Sequence, residues 1–114
     1  MPSSLRLCVA VLLLCSSFAV PAAGQNPDNA ARSLAATCFT CHGTDGHSVG
    51  GVPPSLAGRD RNELIQQMKD FKAGRRPSTI MHQHAKGYTD AQIEQIAGYF
   101  AAVQPSSAAV RRPR

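Results

Sequence analysis

Two cysteines and a histidine lie within five consecutive positions of this 114-residue chain, in the stretch CFTCHG at residues 38–43. Three kinds of chemistry use such a cluster: a redox dithiol, one half of a zinc site, and the covalent attachment of a haem. Each kind needs different partner residues elsewhere in the chain. The rest of the sequence therefore has to distinguish between them.

The dithiol and zinc interpretations find few partners. A thioredoxin-like dithiol is typical of a strand–helix–strand pattern, and the sequence contains no convincing strand. Structural zinc needs four ligands, of which Cys38 and Cys41 could supply two. His82 and His84 are separated by a single residue, whereas common zinc fingers separate their histidines by roughly three to five.

Covalent haem attachment fits the cluster better. Two thiols one helical turn apart can each add to a vinyl group of the porphyrin, and the adjacent imidazole can then reach the iron from the same side. The pattern predicts Cys38 and Cys41 as the attachment points of one haem c and His42 as its proximal ligand. A carbonyl of Pro53 or Pro54, in the following loop, could fix the orientation of the imidazole.

The second axial ligand of the iron determines what such a haem can do. Met81 follows Pro77 in a segment without helical periodicity, whereas Met68 lies on an apolar helical stripe and is expected in the core. A thioether ligand raises the reduction potential and closes the iron to small molecules, which favours electron transfer. His82 and His84 are the alternative ligands, although we expect both at the surface. An open distal side would instead indicate a haem enzyme or a gas sensor.

Residues 1–24 have the layout of a secretory signal peptide, with one positive charge, an uncharged apolar run and a small-residue end. The apolar run is shorter than the roughly 20 residues that a membrane-spanning helix needs, so no stable membrane insertion is expected. Cleavage would remove Cys8 and Cys15 and leave only the pair at positions 38 and 41. We therefore expect a periplasmic protein, in a compartment where covalent haem attachment takes place.

Charge and size indicate one small domain at residues 25–103 and a disordered basic tail at 104–114. The net charge is +5, but one positive charge belongs to the predicted signal peptide and three to the tail, which leaves +1 for the domain. Aromatic and basic residues do not interleave in the domain, so nucleic-acid binding has little support. A domain this small, with so few aromatic residues, needs a cofactor to complete its core.

Hydrophobic periodicity predicts three main helices and two loops, which together form an all-α fold around one haem. Caps and stop signals bound the helices: Asn26, Pro27 and Gly43 for the first, Asp60 and Gly74 for the second, and the capping box of Thr89 and Gln92 for the third. The second loop is expected to contain one short turn. Gly98, inside the third helix, predicts the close approach of another helix backbone.

The stretches AATCFTCHGTDG, PPSLAG, RPSTIM and AKGYTDAQIEQIAGYF together resemble class I c-type cytochromes of the bacterial periplasm. The resemblance covers almost the whole of residues 25–103 and implies the cytochrome c fold. It implies a role for each of the following residues: Cys38 and Cys41 in the thioether bonds, His42 and Met81 as axial ligands, Pro54 as the residue whose carbonyl orients the histidine, Leu56 as a residue packed on the haem, and Tyr99 as an aromatic that crosses the first helix.

One position departs from the family pattern. Ala30 stands where many members have glycine. A slightly wider crossing of the first and last helices is therefore expected, with Gly98 as the position that accommodates it.

Within that branch, the segment RPSTIMHQHAKGYTD is most similar to the cytochrome subunit of flavocytochrome c sulfide dehydrogenase. This similarity implies an electron-transfer protein rather than an enzyme, with redox protein partners that include a flavoprotein on which sulfide is oxidised. Single-haem carriers without such a partner share most of these stretches. A basic group formed by Lys69, Lys72, Arg75 and Arg76 could meet an acidic partner or could be a solvated helix face.

Overall fold

Helices make up the regular structure of residues 27–105, the part of the chain that the computed structural model describes. Its α-helices are α1 (Pro27–Ala35), α2 (Phe39–His42), α3 (Arg61–Lys72), α4 (Met81–Lys86) and α5 (Asp90–Ala102). Short 3₁₀ turns at Ala36–Cys38 and Thr44–Gly46 flank α2. No strand occurs between residues 27 and 105, which confirms the predicted all-α fold. The predicted signal peptide, the Asn26 cap and residues 106–114 of the predicted tail lie outside the described residues.

The first predicted helix is divided into consecutive helical segments. Between α1 and α2 the chain tightens into a 3₁₀ turn, where the hydroxyl of Thr37 donates to the carbonyl of Leu34 at 3.1 Å. Such a side-chain bond competes with the regular helical hydrogen bonds. The predicted end is confirmed: Gly43 caps α2 with a φ of 82°, a conformation that favours glycine, and its amide donates to the carbonyl of Phe39.

The other two predicted helices begin where their caps indicate. The carboxylate of Asp60 accepts the backbone N–H of Glu63 at 2.9 Å, which satisfies one free donor at the start of α3. At the start of α5, Thr89 and Gln92 exchange two side-chain-to-backbone hydrogen bonds at 3.2 and 2.9 Å. The predicted capping box is therefore formed.

The second loop differs from the expectation. It contains the six-residue helix α4 rather than a single turn, and Met81 is its first residue. The buried Ala85 lies on this helix, and α4 packs against α3. The sequence pattern did not show the helix because MHQHAK contains only two apolar residues, Met81 and Ala85.

Helix α5 organises the core by packing against both α1 and α3. The buried cluster where these helices meet consists of Ala35, Leu64, Ile96, Ala97 and Phe100. Four residues at helical spacing on α5 are buried: Ile93, Ile96, Ala97 and Phe100. Met68 and Phe71 of α3 are half-buried and line a cavity beside this cluster. None of the described helices is long and apolar enough to cross a membrane.

The expectation for Gly98 is wrong. A Cβ atom at Gly98 would make only an ordinary contact, 3.6 Å from Nε of Arg61 on α3. No backbone of another helix approaches it, and nothing at this position accommodates Ala30 of α1. The close approach occurs instead at Gly46, where a Cβ would lie 2.8 Å from the Phe100 ring and 2.9 Å from the amide nitrogen of Ala57.

Replacement of Gly46 by alanine should destabilise the protein strongly. Gly46 and Gly50 both have a φ of 81°, but a Cβ at Gly50 would meet no atom within 4 Å. Gly50→Ala therefore measures the backbone strain alone, whereas Gly46→Ala adds an overlap with the core that typically costs about 1–3 kcal/mol. Urea unfolding of the haem-loaded variants gives the free energies of unfolding. Equal losses in the two variants would show that Gly46 is not held against Phe100.

Candidate haem-binding site

A cavity of about 380 Å³ opens beside the core between α3, α4 and the segment that contains α2. The predicted site residues all line it: Cys38, Cys41, His42, Pro54, Leu56 and Met81. They come from three separate places in the chain: the end of the first helical stretch, the loop after it and the start of α4. The fold thus brings together every residue that the sequence analysis assigned to a haem.

His42 is fixed in position by one hydrogen bond. It is the last residue of α2, only 8% of it is exposed, and its Nδ1 lies 2.7 Å from the carbonyl oxygen of Pro54. A carbonyl can only accept a hydrogen bond, so Nδ1 must carry the proton and donate it. The other ring nitrogen, Nε2, then keeps its lone pair and can bind a metal ion. The suggestion that a proline carbonyl orients this ring agrees with this geometry.

The loop that carries Pro54 is held at both ends by hydrogen bonds that sequence reasoning did not find. The backbone N–H of Ser48 donates to the hydroxyl of Ser55 at 3.0 Å. The N–H of Leu56 donates to the carbonyl of Gly46 at 2.9 Å. Serine hydroxyls that bond to nearby backbone are typical of such turns, but their partners cannot be assigned from the sequence. These bonds fix the distance between the Pro54 carbonyl and the end of α2.

The two cysteines form no disulfide and both line the cavity, with Cys38 half-buried and Cys41 exposed. Burial raises the pKa of the Cys38 thiol; a hydrogen bond with Thr37 acts in the opposite direction and the neighbouring Cys41 adds to the increase. Cys38 therefore remains a protonated thiol at neutral pH. This is the form whose sulfur and hydrogen add across a carbon–carbon double bond to give a thioether.

The α4 side of the cavity offers more than one donor atom. Met81 and His84 are three residues apart on α4, so they share a face of this helix, and both line the cavity. Met68 of α3 lines it as well. His82 does not, because it is bound elsewhere: its amide and its Nδ1 both contact the hydroxyl of Ser78, at 3.0 and 3.3 Å. Of the two alternative histidine ligands, only His84 lies at the site.

The described residues offer no zinc site around the cysteines. Between residues 27 and 105, no group of three or more histidine, cysteine, aspartate or glutamate side chains is arranged to hold a metal ion. Cys38 and Cys41 therefore have no additional ligands of these types within that range. The strand–helix–strand setting of a thioredoxin-like dithiol is missing from the same residues.

Tyr99 of α5 ties the last helix to the first helical stretch, as the resemblance implies. Its ring centroid is 6.2 Å from that of Phe39, and its hydroxyl donates to the carboxylate of Asp45. Arg32 of α1 forms an ion pair with the same carboxylate at 3.2 Å. The Tyr99 hydrogen bond, and then the charge of Arg32, lower the pKa of Asp45. Burial, and then Asp45, raise the pKa of Tyr99.

Tyr88 is a second aromatic link that the sequence analysis missed. Its hydroxyl lies 2.5 Å from the hydroxyl of Thr37, and its carbonyl accepts from the ammonium group of Lys72 at 2.8 Å. Tyr88 also lines the cavity. It therefore joins the turn before α5 to the segment that carries the two cysteines.

The predicted basic group does not form a free positive face. Three of its four members are paired with acidic side chains: Lys69 with Asp90 at 3.7 Å, Lys72 with Asp90 at 2.9 Å and Arg75 with Asp70 at 2.8 Å. Hydrogen bonds from Arg75 and Lys72 lower the pKa values of Asp70 and Asp90, respectively. Arg76 behaves differently, because it lies 5.1 Å above the ring of Phe71 and lines the cavity.

The bond between Tyr99 and Asp45 should give the protein a specific dependence on pH. The pKa of Asp45 is lower in the folded chain than in the unfolded chain. Its contribution to stability is therefore complete above the unfolded pKa of about 3.9 and is lost as the pH falls through the folded pKa. Tyr99→Phe should be less stable than the wild type at pH 6, and this difference should shrink as the pH falls below about 4.

Tyr88→Phe is the matched control, because the partner of Tyr88 is the uncharged hydroxyl of Thr37. Its loss of stability should not change over the same acidic range. Urea unfolding of the wild type and both variants between pH 6 and pH 3 provides the comparison. A difference between the wild type and Tyr99→Phe that stays constant over this range would contradict the assignment.

Comparisons with known proteins agree with this geometry. Residues 25–100 match the family described as cytochrome c oxidase, cbb3-type, subunit III. The chain is 43% identical over 82 residues to the cytochrome subunit of sulfide dehydrogenase from Chlorobaculum tepidum, a match that covers 72% of this chain and 74% of that protein. It is 37% identical over 109 residues to the thiosulfate dehydrogenase electron acceptor of Stutzerimonas stutzeri, covering 91% of this chain and 50% of that protein.

A solved structure supports the same fold. Acidithiobacillus ferrooxidans cytochrome c4 superposes with a TM-score of 0.62 at 31% sequence identity, over 70% of this chain and 52% of that chain. This chain therefore spans about half the length of that cytochrome and of the Stutzerimonas protein. The family match, the relatives and the paired thiols beside a buried histidine lead to one conclusion: the chain belongs to the class I c-type cytochromes, which transfer electrons through covalently bound haem c.

Proposed function

We propose that this chain carries one electron at a time in the bacterial periplasm, with its haem attached at Cys38 and Cys41 and ligated by His42 and Met81. One observation carries the proposal: Cys38, Cys41, His42 and Met81 all line the same cavity. The imidazole of His42 is buried, and its Nδ1 is hydrogen-bonded to the carbonyl of Pro54. When bound, haem c supplies an iron that changes between the ferric and ferrous states.

The cavity fits a large, flat, apolar group. Its walls include apolar side chains from α3, from α5 and from the loops, among them Leu56, Leu64, Ile96 and Phe100. Phe100 and Ile93 are the only large side chains of residues 27–105 that are fully buried. So small a core leaves much of the stabilising apolar contact to be supplied by the bound group.

The residues of the chain control the properties of the site. Pro54 holds the imidazole of His42 in one tautomer and one orientation, so Nε2 needs no reorganisation to bind the iron. Leu56, two residues further along the same loop, adds an apolar side chain to the cavity wall. A neutral thioether from Met81 raises the reduction potential and leaves no open position for an exogenous ligand.

Met81 is expected to be the distal ligand, and Met68 is its natural control because both methionines line the cavity. Met81→Leu should abolish the red-region charge-transfer band of the ferric protein and lower its reduction potential, because the thioether is lost. Met68→Leu should keep the band. Absorption spectra and redox titrations of the two haem-loaded variants make the comparison.

His84 is the remaining candidate on the same helix. His84→Asn should keep the charge-transfer band and a potential close to that of the wild type. Survival of the band in Met81→Leu would overturn the assignment of Met81. Absence of the band in the wild type would instead support histidine ligation or an open distal side.

The relative in Chlorobaculum tepidum favours a more specific function. We propose that this chain is the haem subunit of a sulfide dehydrogenase, and that it accepts electrons from a flavoprotein partner on which sulfide is oxidised. The support is the 43% identity and a coverage of 74% of that relative. The described part of the chain is all-helical with one cavity lined by haem-binding residue types, so sulfide chemistry would take place on the partner.

Affinity purification of the tagged chain from its own periplasm tests the partner. A co-purifying flavoprotein that reduces the haem when sulfide is added is the expected result. Reduction by thiosulfate and not by sulfide would favour the role named for the Stutzerimonas relative. A free monomer that neither substrate reduces in the periplasmic extract would leave the chain as a carrier for other donors and would contradict the subunit proposal.

A further inference from the structure

Tyr88 connects parts of the fold that are far apart in the chain. Its carbonyl accepts a hydrogen bond at 2.8 Å from the ammonium group of Lys72, the last residue of α3. The same ammonium group binds the carboxylate of Asp90, the first residue of α5, at 2.9 Å. The backbone of Tyr88 is therefore held between these two helices. From this fixed position its side chain reaches Thr37, which is 51 residues away in the chain.

The hydrogen bond between the hydroxyls of Tyr88 and Thr37 has a definite direction. The hydroxyl of Thr37 carries one proton, and its oxygen lies 3.1 Å from the carbonyl oxygen of Leu34, which can only accept. The oxygens of Thr37 and Tyr88 are 2.5 Å apart. Both bonds form together only when Thr37 donates to Leu34 and accepts from Tyr88. The phenol of Tyr88 is thus the donor at the start of a chain of two hydrogen bonds.

This chain of hydrogen bonds lies where the first helical stretch changes its geometry. Thr37 is the middle residue of the 3₁₀ turn Ala36–Cys38, which separates α1 from α2. A 3₁₀ segment inside a longer helical stretch often marks a hinge. Cys38 ends this turn, and α2 then carries Cys41 and His42. The conformation of the turn therefore determines where the sulfur of Cys38 lies relative to the imidazole.

Two separate constraints act on the orientation of an attached haem. Pro54 fixes the plane of the His42 imidazole through the bond to Nδ1. The sulfur atoms of Cys38 and Cys41 fix the rotation of the porphyrin about the axis through Nε2, because each is bonded to it. The angle between the imidazole plane and the porphyrin therefore depends on the turn that places the sulfur of Cys38.

We propose that Tyr88 is a positioning residue for the haem: through Thr37 it holds the turn that ends at Cys38, and it thereby sets the rotation of the porphyrin relative to the imidazole of His42. The inference rests on the proposed function, because it requires haem attached at Cys38. Thr37 and Tyr88 both line the cavity, so a group bound there displaces water from that side of the two hydroxyls. With less water to compete for them, the turn depends more strongly on Tyr88.

Tyr88→Phe keeps the ring and removes only the donor. The haem methyl resonances in the proton NMR spectrum of the ferric, haem-loaded variant should shift from their wild-type positions, because their spread depends on the angle between the imidazole plane and the porphyrin. Thr37→Val removes the acceptor and should shift the same resonances. In the Thr37→Val background, Tyr88→Phe should add no further shift, since the bond is already lost. Thr37→Ser keeps the hydroxyl and should retain the wild-type pattern.

Ser33→Ala is the matched control. The hydroxyl of Ser33 also donates to a backbone carbonyl on the first helical stretch, that of Asn29 at 2.8 Å, but Ser33 does not line the cavity. Its loss should leave the haem methyl resonances at their wild-type positions. A shift in Ser33→Ala as large as that in Tyr88→Phe would mean that the resonances report a general loosening of the helix, and would contradict the specific role of Tyr88.

Wild-type resonances in Tyr88→Phe, or additive shifts in the double variant, with the charge-transfer band intact, would overturn this inference and leave the proposed function standing. Absence of haem c or of the band in the wild-type protein would overturn the proposed function itself. If Tyr88→Phe or Thr37→Val does not mature, the wild-type protein decides the question. A hydroxyl proton of Tyr88 with a nuclear Overhauser effect to the methyl group of Thr37 is expected, and its absence would overturn the inference.

Discussion

The hydrogen bond from Nδ1 of His42 to the carbonyl of Pro54 joins the two segments on which the site depends. It fixes the tautomer of the imidazole, and it requires the loop after α2 to return to the end of that helix. The bonds of Ser48 with Ser55 and of Leu56 with Gly46 hold the loop in this position. Because Gly46 touches Phe100, the orientation of the imidazole is linked directly to the helical core.

Helix α5 extends this link to the rest of the molecule. Phe100 and Ala97 pack in the core and line the cavity, so the same helix face supports the fold and bounds the site. Tyr99 and Tyr88 bind the segment around the cysteines from α5 and from the turn before it. The cluster of two thiols and one imidazole is thereby held between three independent anchors. Such rigidity suits a protein that only transfers electrons, since a fixed ligand set needs little reorganisation when the iron changes its charge.

The sequence predicted best where a local rule determines the structure. The caps at Asp60 and Thr89 satisfy free backbone donors at the first turn, and Gly43 ends α2, because each depends on atoms a few residues away. The prediction for Gly98 was wrong because it depended on which helix face meets which neighbour. Glycine inside a helix permits a close approach without requiring one, and an apolar stripe does not distinguish a core from a cavity wall. Helix α4 was missed because its residues show almost no apolar periodicity, and its packing against α3 stabilises it instead.

By itself, the sequence determined the chemistry of this protein: Cys38, Cys41 and the adjacent His42 have the spacing for covalent haem attachment, and the rest of the sequence offers few partners for a zinc site or a redox dithiol. It also determined the all-α class and the helix ends. Only the tertiary structure decided which of the distant side chains reach that chemistry. Met81, His84 and Met68 line the cavity while His82 turns to Ser78, and Arg76 lies at the wall while its basic neighbours pair with aspartates. These choices depend on how the helices cross, which is set by packing between residues far apart in the chain.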